Sequence, residues 1–364
     1  MKSKNYEFTK AHTQIAKGVA ITLMMTYHLF AFPDRIQKVS YISVIPFLHP
    51  SIESLLGNFG GICVAMYLFL SGYGLYISSL KKEKFTFRDT SKKIIKFLIN
   101  YWVVFVIFVP IGMIWFTENK VYEWNIVRFI TNFFTLSYSY NGEWWFASLY
   151  IELLLIFPTI KKLLQRNIKF SLAIILGLYI ISFVMEVIPR FFPELVFLKR
   201  SLIYGDIKKI LFWQMTFCLG CIAARFNLFS YINKNILCRR LDTKAFYSTT
   251  MLVIIGIRIG ATYVFKSIGI GNATYVDFIL APPFILICTN LIYGSGNKNI
   301  FSILGKHSTN MWLSHSFFCY YYFQKLVFLP KLSILIVIWL AVLSIASSIL
   351  INFVIKIFRR KEVI

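Results

Sequence analysis

A bundle of membrane-spanning helices is the fold class this sequence predicts, and three observations carry it. The 364 residues are 58% hydrophobic and only 15% charged, with a mean hydropathy of +0.67, which is not the composition of a water-soluble globule. About ten apolar stretches are long enough to cross a bilayer as helices. Lysine and arginine gather at alternate ends of those stretches, as the positive-inside rule requires of a multi-pass chain. The expectation is therefore all-α: a polytopic transmembrane bundle of about ten spanning helices, one integral-membrane domain over residues 1–364, both termini cytoplasmic.

The first stretch, near residues 14–32, reads IAKGVAITLMMTYHLFAF over Ile15–Phe32. No signal-peptide cleavage pattern follows it, so it is expected to remain as the first helix. The others lie near 57–80, 95–116, 143–160, 168–188, 207–226, 245–265, 274–293, 301–323 and 332–357. A further segment, Trp124 to Tyr140, is short and carries Arg128, and is expected to lie at the interface or re-enter. With the amino terminus inside, the inner face receives Lys2, Lys4 and Lys10, then Lys81, Lys82, Lys84, Arg88, Lys92, Lys93 and Lys96. It also receives Lys17, Lys161, Lys162, Arg166, Lys169, Arg225, Lys234, Arg239, Arg240, Lys244, Lys298, Lys306, Lys356, Arg359, Arg360 and Lys361. The net charge of +24 thus reports orientation and attraction to anionic lipid and calls for no nucleic acid. Six cysteines fall mostly in predicted helices. Cys218-Leu-Gly-Cys221 has a metal-like spacing but no second ligand pair, so packing is its expected role and no metal is expected.

Several polar residues interrupt this apolar background. Lys17 and His28 are eleven residues apart, which at about 100° per residue leaves them only about 20° off a common helix face. Their separation along the axis is about 16 Å, roughly half the hydrocarbon thickness. An ionisable side chain inside a span is costly and is usually functional. Lys17 also suits a snorkelling anchor, and His28 a plain interhelical hydrogen bond. At the outer rim, Asn141-Gly-Glu143-Trp144-Trp145 opens the fourth stretch. Trp144 and Trp145 are candidate platforms for a sugar ring, with the interfacial aromatic anchor as the alternative. Glu143 is a candidate to orient His28 or bind a sugar hydroxyl, or else a first-turn acid favoured by the helix dipole. His315 is mid-helix, and Arg258 and Asp277, on consecutive spans, are expected to pair.

Five motifs in order along the chain resemble those of the acyltransferase-3 family of integral-membrane O-acyltransferases, which modify bacterial surface glycans such as capsule and exopolysaccharide. They are Lys17-Gly-Val-Ala-Ile with His28 eleven residues on; Met66-Tyr-Leu-Phe-Leu-Ser-Gly-Tyr-Gly-Leu; Lys92-Lys-Ile-Ile-Lys96; Trp145-Phe with Phe157-Pro158; and Leu304-Gly-Lys-His-Ser-Thr-Asn-Met-Trp-Leu-Ser-His315. The resemblance covers nearly the whole chain. Lys17 stands where the family has Arg, and Gln14 where it often has Asp. Lys93-Ile-Ile-Lys96 replaces an Arg-x-x-Arg, keeping charge without the bidentate fork. Glu152 falls one or two places late for the family's acid.

The resemblance implies an acyl group, acetyl above all, moving from cytosolic acyl-coenzyme A to a hydroxyl of a surface glycan or lipid-linked sugar at a bacterial cell (inner) membrane. Such a transfer needs a base for the hydroxyl proton. Imidazole as a side-chain type suits that task, with an ordinary pKa of about 6.5. The implied catalytic set is His28, Glu143 and His315. Lys17, Arg88, Lys92, Lys93 and Lys96 form an implied inner-face set for the phosphates of acetyl-CoA. The reading from another class is a transporter or flippase for a polysaccharide precursor. Inverted repeats with broken helices in both halves would mark one, and Pro282-Pro283 is the only such break.

Overall fold

The computed structural model describes residues 7–36, 39–83, 85–237, 243–269, 273–293 and 300–361. Among the basic residues named above and the six cysteines, Lys2, Lys4, Lys84, Cys238, Arg239, Arg240 and Lys298 lie outside the described residues. The helices in chain order are α1 (Lys10–Phe30), α2 (Ile52–Gly60), α3 (Cys63–Leu80), α4 (Phe87–Trp115), α5 (Ile126–Phe133), α6 (Trp145–Gln165) and α7 (Ile168–Phe191). They continue as α8 (Leu202–Arg225), α9 (Leu228–Ile232), α10 (Lys244–Ser267), α11 (Asp277–Tyr293), α12 (Ile300–Ser316), α13 (Gln324–Val327) and α14 (Ser333–Lys361). No strand occurs among the described residues; one isolated bridge pairs Ile42 with Leu332 in parallel. The polytopic helical class read from composition is the class observed.

Local chemistry starts these helices where the sequence supplies an acceptor. The side chains of Ser51, Asn125, Asn167, Ser201 and Thr243 each accept a backbone N–H of the first turn that follows, groups that a helix leaves unpaired at its start. At the head of α1 the roles reverse: His12 Nδ1 accepts the Thr9 N–H at 3.1 Å, a capping-box arrangement with imidazole in place of a carboxylate.

By length and composition, seven helical segments among the described residues are able to cross a membrane: Ile52–Leu80, Phe87–Trp115, Ile168–Phe191, Leu202–Arg225, Lys244–Ser267, Ala273–Tyr293 and Ser333–Phe358. The other three expected spans also form helices, and their composition explains why they stand apart. α1 carries Lys10, His12, Lys17 and His28; α6 carries Glu152, Lys161 and Lys162; α12 is only 17 residues long and carries Lys306, His307, Asn310 and His315. Between Trp124 and Tyr140 the helix is the eight-residue α5, too short to span.

The chain divides into two compact units. One comprises residues 14–63, 92–148 and 297–364. Its core is aromatic: Tyr101, Phe105, Trp144 and Phe317 are each at most 1% exposed. Within it α1 and α12 touch backbone to backbone. A methyl on Gly18 would overlap the Phe301 carbonyl, and one on Gly305 would overlap the Gln14 carbonyl. Such reciprocal approach needs small residues, because in lipid the attraction between helices comes from packing rather than from expelled water. At the edge of this unit Glu53 accepts from Ser43 Oγ (2.7 Å), Val44 N (2.8 Å) and Ser333 Oγ (2.6 Å), tying the 39–50 segment to the start of α14.

The second unit comprises residues 1–13, 64–91 and 149–296. It repeats the same device where α3 meets α8, with Gly72 against the Phe217 carbonyl and Gly220 against that of Phe69. The expected Arg258–Asp277 pair is there. Arg258 Nε and Nη2 donate to Asp277 Oδ1 and Oδ2 at 2.7 and 2.9 Å, with both residues buried. A two-point charge-assisted contact offsets the desolvation that an isolated charge would suffer there. Glu186 accepts from Arg190 at 2.9 Å and from Lys208 at 2.6 Å. The five cysteines among the described residues are buried and form no disulfide. Cys221 Sγ faces the Gly72 carbonyl at 3.4 Å, which is packing at the glycine crossing.

Candidate active site

The close approach of α1 and α12 sets two imidazoles against each other. His28, in the last turn of α1, and His315, near the end of α12, are 4% and 0% exposed. His28 Nδ1 lies 2.6 Å from His315 Nε2, and the rings are within 11° of parallel. On the other side of His28, Nε2 lies 3.1 Å from Glu143 Oε2. Glu143 Oε1 in turn accepts from Arg35 Nη1 at 2.8 Å. Four side chains from separate parts of the sequence thus form one chain: His315, His28, Glu143, Arg35.

Each member is held by its own local structure. Glu143 sits in the single turn Gly142–Trp144 ahead of α6. Asn141 accepts the Glu143 N–H at 3.1 Å and donates to Ser316 Oγ at 2.7 Å. Gly142 N donates to Tyr321 Oη at 2.9 Å, and Trp144 Nε1 donates to the Leu313 carbonyl at 3.0 Å. Three bonds therefore fasten the turn to the end of α12 on both sides of the carboxylate. There α12 passes into a π-turn, Phe317–Tyr321, a distortion common at functional sites, and Tyr320 Oη donates to the His28 carbonyl. Arg35 ends the short turn Pro33–Arg35 after α1. Its guanidinium lies 4.2 Å from the centroid of the Phe32 ring and 5.1 Å from that of Tyr320. Burial works against its charge, but the Glu143 carboxylate and then Tyr320 outweigh that, and Arg35 is raised above its ordinary pKa.

The partners assign the protons. His315 Nδ1 faces only acceptors, the carbonyls of Trp312 at 2.8 Å and Met311 at 3.2 Å, so it carries hydrogen. One hydrogen must lie between the two imidazoles to make a 2.6 Å contact favourable. His28 Nε2 faces the Glu143 carboxylate, and a hydrogen on that nitrogen makes the 3.1 Å contact favourable.

Of the residues singled out from the sequence, His28, Glu143 and His315 are brought together. The exposed-platform reading of Trp144 is corrected: the side chain is 1% exposed, with its ring edge-on to Tyr101 and its N–H committed to Leu313. It braces the Glu143 turn and has no face open to a sugar. Trp145 is half-buried. Lys17 is half-buried in the second turn of α1, about 16 Å of helix rise below His28. Arg88, Lys92 and Lys96 are exposed on the first turns of α4, with Lys93 half-buried among them. These cations take no part in the histidine chain. Glu152 belongs to the other unit, 3.8 Å from Lys209.

Arg35 was not legible as a site residue. It lies in a Pro-Asp-Arg turn outside every motif, and only the fold brings it 108 positions forward to Glu143. The same holds for Tyr320 and Asn141, whose roles depend on the π-turn that ends α12.

A buried histidine pair and a clamped carboxylate lie together inside a polytopic helical bundle. The sequence model of the acyltransferase-3 family, described as an acyltransferase domain, matches residues 14–355. The chain belongs to that family, and the protein is a membrane acyltransferase. No curated protein and no solved structure matches it.

Because the histidine contact depends on bare backbone packing at Gly18, Gly18→Ala should force α1 from α12. The expected cost is about 1–3 kcal/mol of stability, with acyl transfer by the folded fraction reduced at least about tenfold, since small misplacements of reacting groups cost rate steeply. Thermal unfolding and transfer assays on the purified protein check this. A folded Gly18→Ala protein with wild-type transfer would show that the close approach is not needed.

Proposed function

We propose that the protein transfers an acyl group, acetyl in the first instance, from cytosolic acyl-CoA to a hydroxyl of a surface glycan or lipid-linked sugar at the bacterial cell membrane, with His28 as the general base. The observation that supports this best is the His315–His28–Glu143 chain within a chain of the acyltransferase-3 family. The acceptor hydroxyl replaces Glu143 Oε2 at His28 Nε2. As its oxygen bonds to the acyl carbon, its proton passes to Nε2; the C–S bond then breaks, and the coenzyme A thiolate takes the proton from the imidazolium. His315, whose Nδ1 is fixed on the Trp312 and Met311 carbonyls, presents Nε2 to His28 and shares the charge. Glu143 stabilises that charge from the other side, in the role of a carboxylate beside a catalytic imidazole.

The donor's phosphates are assigned to the inner cations Lys17, Lys92, Lys93 and Lys96. The last three lie near the start of α4, at the end that the positive-inside rule assigns to the cytosol. Lys17 shares α1 with His28, so a donor arm rising along that helix covers about 16 Å.

Two substitutions separate these parts. His28→Gln keeps hydrogen bonding but cannot take the proton, so transfer should fall about 10²–10⁴-fold with donor affinity near normal. Near wild-type transfer by that variant would leave His28 a structural residue. Replacing both Lys93 and Lys96 by Gln should do the reverse, weakening acyl-CoA binding by about 1.5–3 kcal/mol per lost contact with insertion intact. Unchanged donor affinity, measured on the purified double variant, would reduce this segment to a topology anchor.

A further inference from the structure

Arg35 is more constrained than its position in an inter-helix segment suggests. The guanidinium is flanked by the Phe32 and Tyr320 rings. Its carbonyl accepts from Gln324 Nε2 at 2.8 Å, and the same amide donates to the Cys319 carbonyl at 3.1 Å. One Nη reaches Glu143 Oε1. A side chain still 45% exposed is thus held by two aromatic faces, a carboxylate and its own anchored backbone. Both rings are within cation–π reach of the guanidinium while it meets Glu143.

We propose that Arg35 is a positioning residue of the transfer site, acting through Glu143: by holding Oε1 it leaves Oε2 turned to His28 Nε2. This rests on the reading of His28 as base. Arg35 comes from the turn after α1 and Glu143 from the turn before α6, so a neutral side chain at position 35 leaves the carboxylate free to turn away from His28. A lysine at this position keeps the charge and loses the planar guanidinium.

The test uses the full chain in lipid nanodiscs, comparing wild type, Arg35→Gln, Arg35→Lys and His28→Gln. In folded Arg35→Gln, kcat for acyl transfer should fall about tenfold while KM for acetyl-CoA stays put, and Arg35→Lys should recover part of that loss. Wild-type kcat in Arg35→Gln would overturn the proposal. So would a loss that Arg35→Lys fails to relieve at all. Wild-type transfer by His28→Gln beside a lowered kcat in Arg35→Gln would remove the base reading and leave Arg35 acting through Glu143.

Discussion

Everything distinctive in this protein depends on two helices approaching closely enough for their backbones to touch. Gly18 lies against the Phe301 carbonyl and Gly305 against that of Gln14. Ten residues further along each helix, His28 meets His315. Any side chain at either glycine would separate the helix axes, and a 2.6 Å contact between ring nitrogens tolerates little separation. The glycines explain why the two polar motifs, Lys17-Gly18 and Leu304-Gly305-Lys306, sit where they do. They set the helix contact on which the chemistry further along depends.

The burial that comes with this packing gives the histidine pair its character. A buried ring nitrogen needs a partner, and each has one in the protein: carbonyls for one, the neighbouring imidazole for two, a carboxylate for the last. Glu143 is clamped by Asn141, Gly142 and Trp144, so the carboxylate is held in place rather than free to search for His28.

How much of this was legible in the sequence divides along physical lines. The helical membrane class follows from composition and from apolar length, both properties of the chain alone. His28 and Glu143 stood out because each is costly or conspicuous where it lies, one inside a span and the other beside paired tryptophans. The Arg258–Asp277 pair was expected because opposite charges on adjacent spans have few other places to go. His315 came from the family resemblance, since nothing local distinguishes a reactive histidine from a satisfied one. Trp144 misled because an aromatic residue at a predicted rim reads the same whether it faces sugar or packs inward; the bond to Leu313 decides it. Arg35 could not be read at all, since its partner is distant in sequence and its turn has no chemical signature.

Lys17 and His28 lie about 16 Å apart along α1, so donor recognition and proton transfer, as proposed, are separate tasks. The central claim is that the proton-transfer end acylates a sugar. Mass spectrometry of the surface glycan from cells with and without this chain tests it most directly. The account predicts that glycan from cells carrying the chain is heavier by whole acyl groups, lost on mild alkaline treatment that cleaves esters. Identical glycan masses in the two, with the protein present in the membrane, would contradict it.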